Sequence, residues 1–379
     1  MTAVSLPSDD QRWGLTYRRA TGEKPIRVTT AFVWTTSARD LAWRWRRFLI
    51  TTVAAALVLA LTILLSGIIE HLDAEIERTV DTLGADGFAF AADIPGPFTS
   101  VAAIPAEQEG ALLAAGATRA DPIVAVPQTL RMEPALDAFV IGHRPGGLGT
   151  PPVSEGRAPV SDGEAAVDSK SGLTLGADLV VAGATYEVVG LTEGLTVLGE
   201  RPNVYITLAA AQRAVFGGQS VATTFLIEGE VANPPVGLRV IGPAAAIDDL
   251  RRPMVDTIES IELFRTLLWL VAAAIVGSVL YLSALERSRD MAVFKATGAS
   301  SGDLVAGLAL QSLVLSLSAS ALAVVVAFAL KPLFPAGISL TMGLLLKVPV
   351  VAVVIGVLGS LAGLRRTLKA DPAIAFGGP

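Results

Sequence analysis

Four long apolar runs, placed one and then three around a polar block of nearly two hundred residues, constrain this chain more than any other feature. The runs are Phe48–Ile69, Thr266–Leu285, Leu304–Leu330 and Val348–Leu364. A helix needs ~20 predominantly apolar residues to cross ~30 Å of hydrocarbon. The first three runs hold no charged residue over 22, 20 and 27 positions, so each is long enough to span. The fourth has 17 charge-free residues, and Leu340–Leu346 extend it while Lys347 can snorkel to the interface. The sequence predicts an integral membrane protein whose one large soluble part hangs between the first and second spans.

Charge gives the orientation. Residues 71–262 hold 26 acidic and 11 basic side chains, whereas the rest of the chain holds 9 acidic and 18 basic. Arg39, Arg44, Arg46 and Arg47 precede the first run, while Glu70, Asp73, Glu75 and Glu77 follow it. By the positive-inside rule the N-terminus is cytoplasmic and the acidic block lies outside. Arg287, Arg289 and Lys295 keep the loop after the second span inside, and Arg365, Arg366 and Lys369 do the same for the C-terminus. The first run begins too far in, and is too long, for a cleaved leader, and it reads as an uncleaved signal-anchor. The chain has no cysteine, which excludes disulfides, thiolate metal sites and cysteine nucleophiles.

The expected fold class is therefore membrane α-helical, with four transmembrane helices in a one-plus-three arrangement and an α+β extracytoplasmic domain between helices 1 and 2. The boundaries expected are a poorly ordered cytoplasmic tail over 1–30, an amphipathic interfacial helix over 31–47, and the first span over 48–69. The extracytoplasmic domain covers 70–262, and the second span 263–285. A cytoplasmic loop over 286–303, the third span over 304–330, an outer loop over 331–339, the fourth span over 340–364 and a tail over 365–379 complete the chain. Leu72, Ile76, Val80 and Leu83 continue the first span at helical spacing as a stalk. Strands are expected at 86–92, 123–130, 138–141, 204–206, 223–227 and 238–241, with a hairpin around Ala182–Gly183–Ala184. A helix is expected from Pro105, another after Thr207 as N-cap, and a last one from Ala244, interrupted or kinked at Pro253.

Small residues recur at helix-packing intervals: Ser312, Ser316 and Ser320 on one face of the third span, Ala273 and Gly277 in the second, and Gly359 with Gly363 in the fourth. They suit a bundle or a dimer. No charge-free run holds an ionisable group that could relay ions at mid-bilayer, which argues against an ion-coupled carrier. The Gly298–Gly302 stretch satisfies G-x-S-x-G, but it follows an amphipathic segment and precedes a span, so Ser300 lacks the context of a nucleophile elbow. The chain has no phosphate-binding G-x-x-x-x-G-K-[ST] loop. His71 and His143 are too far apart in sequence to suggest a metal site, and His71 reads as an interfacial residue. Gly96–Pro97–Phe98 and 142–149 are candidate contact loops.

The segment 284–300 is the most informative motif. Met291, Val293 and Phe294 form an apolar patch, Glu286–Asp290 a charged one, and Gly298 supplies a stop. Such a helix either lies on the membrane as an elbow or inserts into a groove of a soluble partner. The order Arg287, Asp290, Ala292–Val293, Lys295–Ala296, Gly298–Ala299–Ser300 resembles the signature of FtsX/MacB-type ABC permeases, with Asp290 where that family usually has glutamate. The segments 154–157, 176–178 and 186–190 resemble the family's extracytoplasmic core domain (the MacB-like periplasmic domain), and the ending Arg365–Arg366 with Asp371–Pro372–Ala373 fits as well.

The resemblance implies a non-catalytic permease subunit whose loop is a coupling helix for a cytoplasmic ABC ATPase. Met291 and Phe294 would be its apolar anchors, and Arg287, Asp290 and Lys295 would set its orientation. ATP and Mg2+ would be bound by that partner, with no cofactor in this chain. A second copy would complete a homodimer in the lipid bilayer of the cell membrane, with room for an extracytoplasmic partner and no role for nucleic acid. The work done would be export, extraction or mechanotransmission. A membrane-anchored receptor without an ATPase is the alternative from another class.

Overall fold

The computed structural model describes residues 45–197, 199–286, 301–334 and 337–368. The expected tail over 1–30, nearly all of the interfacial helix over 31–47, the coupling segment 287–300 and the residues from 369 onward lie outside the described residues. The chain divides into two compact units. One comprises residues up to Leu59, Trp269–Val324 and those from Leu346, and the other Ala60–Leu268 with Val325–Leu345.

The first helix, α1, runs unbroken over Trp45–Thr82, 38 residues, so the unit boundary falls inside it. It ends at Gly84, whose φ of +65° is the left-handed turn that closes many helices. The second unit then builds a mixed sheet. The strands are β1 Gly87–Ala91, β2 Ile104–Pro105, β3 Arg119–Leu130, β4 Leu136–His143, β5 Glu155–Gly156, β6 Glu164–Asp168 and β7 Asp178–Val181. They continue with β8 Ala184–Thr192, β9 Thr196–Val197, β10 Arg201–Thr207, β11 Val221–Ala222, β12 Thr224–Glu228 and β13 Leu238–Ile241. The order across the main sheet is β13-β1-β12-β3-β4-β10-β6-β8-β5, with β7 on β8, β9 on β10, and β2 and β11 paired apart.

The twelve residues of β3 hold the sheet together. Arg119–Ile123 pair with β12 and Val124–Leu130 with β4, both antiparallel, so one strand serves two halves. Beyond it β10 runs parallel to β4 and β8 parallel to β6. The β7–β8 hairpin turns on Ala182 and Gly183, both at positive φ, as a two-residue primed turn requires.

Helix α2 is Gln108–Ala114 and α3 is Leu208–Phe216, whose N-cap Thr207 accepts from the Ala210 N–H at 3.2 Å. Helix α4 is Pro243–Arg251, followed after a short 3-10 turn by α5 Val255–Glu286, α6 Ser301–Leu330 and α7 Met342–Leu368.

Several expectations change. Pro105 lies in a strand, and α2 begins only at Gln108; proline at the first helical position is equally compatible with an edge strand. The last helix is interrupted at Pro253, one of the two outcomes expected there: Pro253 sits in the 3-10 turn Arg252–Met254, which separates α4 from α5. Strand β6, reading Glu-Ala-Ala-Val-Asp, has no β-branched or aromatic run to announce it, yet its four residues from Ala165 are buried.

Among the described residues, three helical stretches are long and apolar enough to cross a membrane, by length and composition: Phe48–Thr82, Pro243–Val279 and Ala309–Leu333. Met342–Leu358 is a shorter apolar helix, with Pro349 inside α7.

Candidate functional site

The C-terminal half of α1 is where an apolar helix becomes part of the core of the second unit. Ile76, Val80 and Leu83 are each 1% exposed and pack in one cluster with Phe88, Phe98, Ile123, Phe139, Ile141, Tyr205, Leu226 and Leu250. Phe98 stacks edge-on against Phe88 and Phe139, with centroids 5.5 and 6.4 Å apart. Fully burying one such aliphatic side chain is worth about 1.5–3 kcal/mol, so these three fix the stalk firmly within the domain.

Polar contacts set its register. Glu75, 2% exposed, accepts from the Thr196 hydroxyl and from the N–H groups of Gly199 and Glu200 at 3.3 and 3.0 Å. One turn on, Thr79 donates to the Thr196 carbonyl at 3.1 Å and accepts from Asn203 Nδ2 at 3.3 Å. Arg78 donates to the Gly194 carbonyl at 2.9 Å, and Arg251 of α4 grips Asp73 at 2.8 Å.

Nearer the apolar run, the segment between α6 and α7 folds onto α1. The Ser339 N–H donates to the Gly67 carbonyl at 3.0 Å, and a Cβ on Gly67 would stand 2.5 Å from Ile338, so glycine is what lets the loop lie so close. Thr341 donates to Glu70 while its hydroxyl oxygen accepts from the Leu344 N–H at 3.2 Å, capping α7. Ser339 Oγ lies 3.1 Å from His71 Nδ1. His71 Nε2 stands 3.7 Å from Glu75 and 3.5 Å from Glu200, buried and without a hydrogen bond among the described residues. Among the described residues no group of three or more His, Asp or Glu side chains has the geometry to hold a metal ion.

Within the first unit, α6 and α7 meet at small residues. Ser312, Ser316 and Ser320 are at most 2% exposed. A Cβ on Gly356 would meet Ser316 Oγ and stand 3.6 Å from Ser312 Cβ, so the helices touch there almost backbone to backbone. The Ser316 and Ser320 hydroxyl oxygens have no partner among the described residues.

The predicted residues are thus placed unevenly. The coupling set Arg287, Asp290, Met291, Phe294, Lys295 and Gly298 lies outside the described residues. Gly359 and Gly363 fall within α7, and Gly277 in α5 has nothing within 4 Å of where its Cβ would be. Gly96–Pro97–Phe98 is no exposed contact loop: all three residues are buried, and the Asp249 carboxylate accepts from the Phe98 and Thr99 N–H groups at 2.9 and 3.2 Å. The residues that sequence reading missed, Gly67, Glu70, Glu75, Glu200, Gly337, Ser339 and Thr341, carry no local motif. The signal available was charge beside an apolar run: Glu70, His71 and Glu75 at i, i+1 and i+5.

The profile of the FtsX-like permease C-terminal family matches residues 263–372. A protein of Mycobacterium tuberculosis strain H37Rv, named an uncharacterized ABC transporter permease, is 41% identical over 345 residues, covering 90% of this chain and 98% of the relative. A second permease of the same name and organism is 40% identical over 344 residues, with the same coverage. Among solved structures, the periplasmic region of MacB from Actinobacillus actinomycetemcomitans aligns with a TM-score of 0.32 at 10% identity, covering 47% of this chain and 97% of that one; a likeness that slight carries no argument.

Proposed function

The chain belongs to the family of FtsX-like ABC transporter permeases, and from that premise we propose that it is the non-catalytic membrane subunit of a complex driven by a separate cytoplasmic ATPase. In this reading four helices span the cell membrane, both termini are cytoplasmic, and residues 70–262 stand outside. Two copies pair, and ATP and Mg2+ are bound by the ATPase. The segment 287–300 docks in a groove of that ATPase through Met291 and Phe294, since docking energy concentrates in a few large apolar side chains. Arg287, Asp290 and Lys295 orient it.

The observation that supports this reading is α1. A single helix of 38 residues carries the apolar run Phe48–Ile69, and its far end, with Ile76, Val80 and the following Leu83, lies in the core of a domain. A rigid element with one end in each environment passes displacement from one to the other, and this favours mechanical work outside the bilayer over carriage of a small polar solute through the bundle.

The test is co-purification of the full chain in nanodiscs with its cytoplasmic ATPase. Wild type is expected to retain an ATPase that Phe294→Asp loses, with nucleotide hydrolysis following the bound subunit. If wild type holds no ATPase with or without nucleotide, the reading fails, and a receptor acting without one takes its place.

A further inference from the structure

The main sheet of the second unit ends on β13, whose one neighbour among the described residues is β1. The Ala92 N–H donates to the Gly237 carbonyl at 2.9 Å, and in the same register Arg239 stands opposite Phe90 and Ile241 opposite Phe88. Main-chain groups of an antiparallel strand face alternate sides, so residues 237, 239 and 241 turn theirs to β1, and Leu238 and Val240 turn theirs away. The Leu238 N–H is already used on the Pro235 carbonyl at 3.0 Å. The Leu238 carbonyl and the Val240 N–H and carbonyl are left facing outward.

Sheet edges are commonly guarded by a charged side chain. The one charged residue of β13 does not guard this one. The Arg239 guanidinium lies 4.9 Å from the centroid of the Phe90 ring and donates to the Pro95 carbonyl at 3.1 Å.

Val240 also lines an open groove of about 670 Å³, together with Val231, Pro234, Ile241, Asp86 and Glu230. Val231 and Val240 pack on the cluster of Ala89, Phe225 and Ile227, so the apolar part of the groove is fixed by the core beneath it. Both acids are exposed. Among the described residues, the only hydrogen bond to their carboxylates is from the Gly229 N–H to Asp86 at 2.8 Å. No lysine, arginine or histidine is among the residues lining the groove. Glu228, exposed beside it, stands opposite Arg119 in the β12–β3 register, but Arg119 is held by Asp121 at 2.6 Å and the Gly146 carbonyl at 3.0 Å. The negative charge of the groove is therefore left for something outside it.

We infer that the β13 edge and this groove receive an extended segment of another protein that carries apolar side chains and a lysine or arginine. The segment adds a strand to the sheet through the outward groups of Leu238 and Val240. Those groups are too few to hold a strand alone. Apolar side chains against Val231, Pro234 and Val240, and a cation beside Asp86 and Glu230, supply the rest of the affinity and the choice of partner. The inference concerns the second unit alone and stands whether or not an ATPase docks on the chain.

The test is fluorescence anisotropy of a labelled peptide, Thr-Val-Lys-Val-Lys-Val-Thr, titrated with the full chain in nanodiscs of zwitterionic phosphatidylcholine. A second peptide with glutamate in place of lysine is the control. Wild type is expected to bind the lysine peptide at least tenfold more tightly than the glutamate one. Val240→Pro removes an outward N–H at a strand edge, where proline is tolerated, and should weaken the lysine peptide at least tenfold. Glu230→Lys changes an exposed side chain and should narrow the preference between the peptides to less than threefold; it carries the test should Val240→Pro not fold. Equal affinity for the two peptides, no binding at millimolar concentration, or binding that either substitution leaves unchanged overturns the inference. So does a disulfide between two copies carrying Val240→Cys, which would give the edge to a second copy of this cysteine-free chain.

Discussion

A carboxylate that is 2% exposed, at the point where a membrane helix enters a soluble domain, is costly to bury unless its oxygens are used. Glu75 uses them on three donors from one turn of chain. Glu75→Leu is expected to leave those donors unsatisfied, each costing about 1–3 kcal/mol. The check is thermal unfolding of the full chain in nanodiscs, where Tm should fall by several degrees and Glu75→Gln should recover part of the loss.

His143 is buried at the end of β4, with Nδ1 donating to the Arg144 carbonyl at 3.1 Å and Nε2 enclosed without a partner among the described residues. Burial pushes its imidazole below the usual range, opposed in part by that hydrogen bond. With the folded value depressed, the neutral ring is the folded form. Its stabilisation is full above about pH 6.5 and is lost as acid forces a proton onto it. Unfolding temperatures measured from pH 8 to 5 should therefore fall on the acid side, and His143→Gln should flatten that fall.

At the scale of elements, α1 and the α6–α7 contact make different demands. Proline at Ala74 removes a helical hydrogen bond and clashes with the carbonyl of Glu70, costing about 3 kcal/mol or more. It is expected to leave ATPase co-purification intact while abolishing any nucleotide-dependent movement of the domain. At Gly356, a leucine cannot fit against Ser312 and Ser316, so Gly356→Leu should lower the unfolding temperature of the full chain. Ser316→Ala, which deletes a hydroxyl with no partner among the described residues, should leave it unchanged or raise it.

Elements of this kind were unequally legible in the sequence. The stalk was plain, because Leu72, Ile76, Val80 and Leu83 repeat at helical spacing directly after a charge-free run. The β7–β8 hairpin and the Thr207 cap followed from turn and cap chemistry. The packing of Glu200 and Ser339 against His71 was hidden because those residues lie some 130 and 268 positions away and meet it only through tertiary packing. Asp249 was hidden in the same way: it draws in the Gly96–Phe98 loop from 150 residues away, against its turn-like composition.

At the scale of the whole molecule, the proposed permease would join an ATPase-docking segment over 287–300, a set of apolar helices and a domain rooted on α1. In that proposal, nucleotide turnover by the partner ATPase moves the domain through α1. The direct measurement is a spin-label distance in nanodiscs between cysteines placed at Val236, fully exposed in the domain, and Leu282, exposed near the far end of α5. The native chain has no cysteine to interfere. With the ATPase bound, the distance distribution is expected to shift between the nucleotide-free state and the vanadate-trapped one, and Phe294→Asp should remove the shift. One distribution in both states, with the ATPase bound and hydrolysing, would contradict the account.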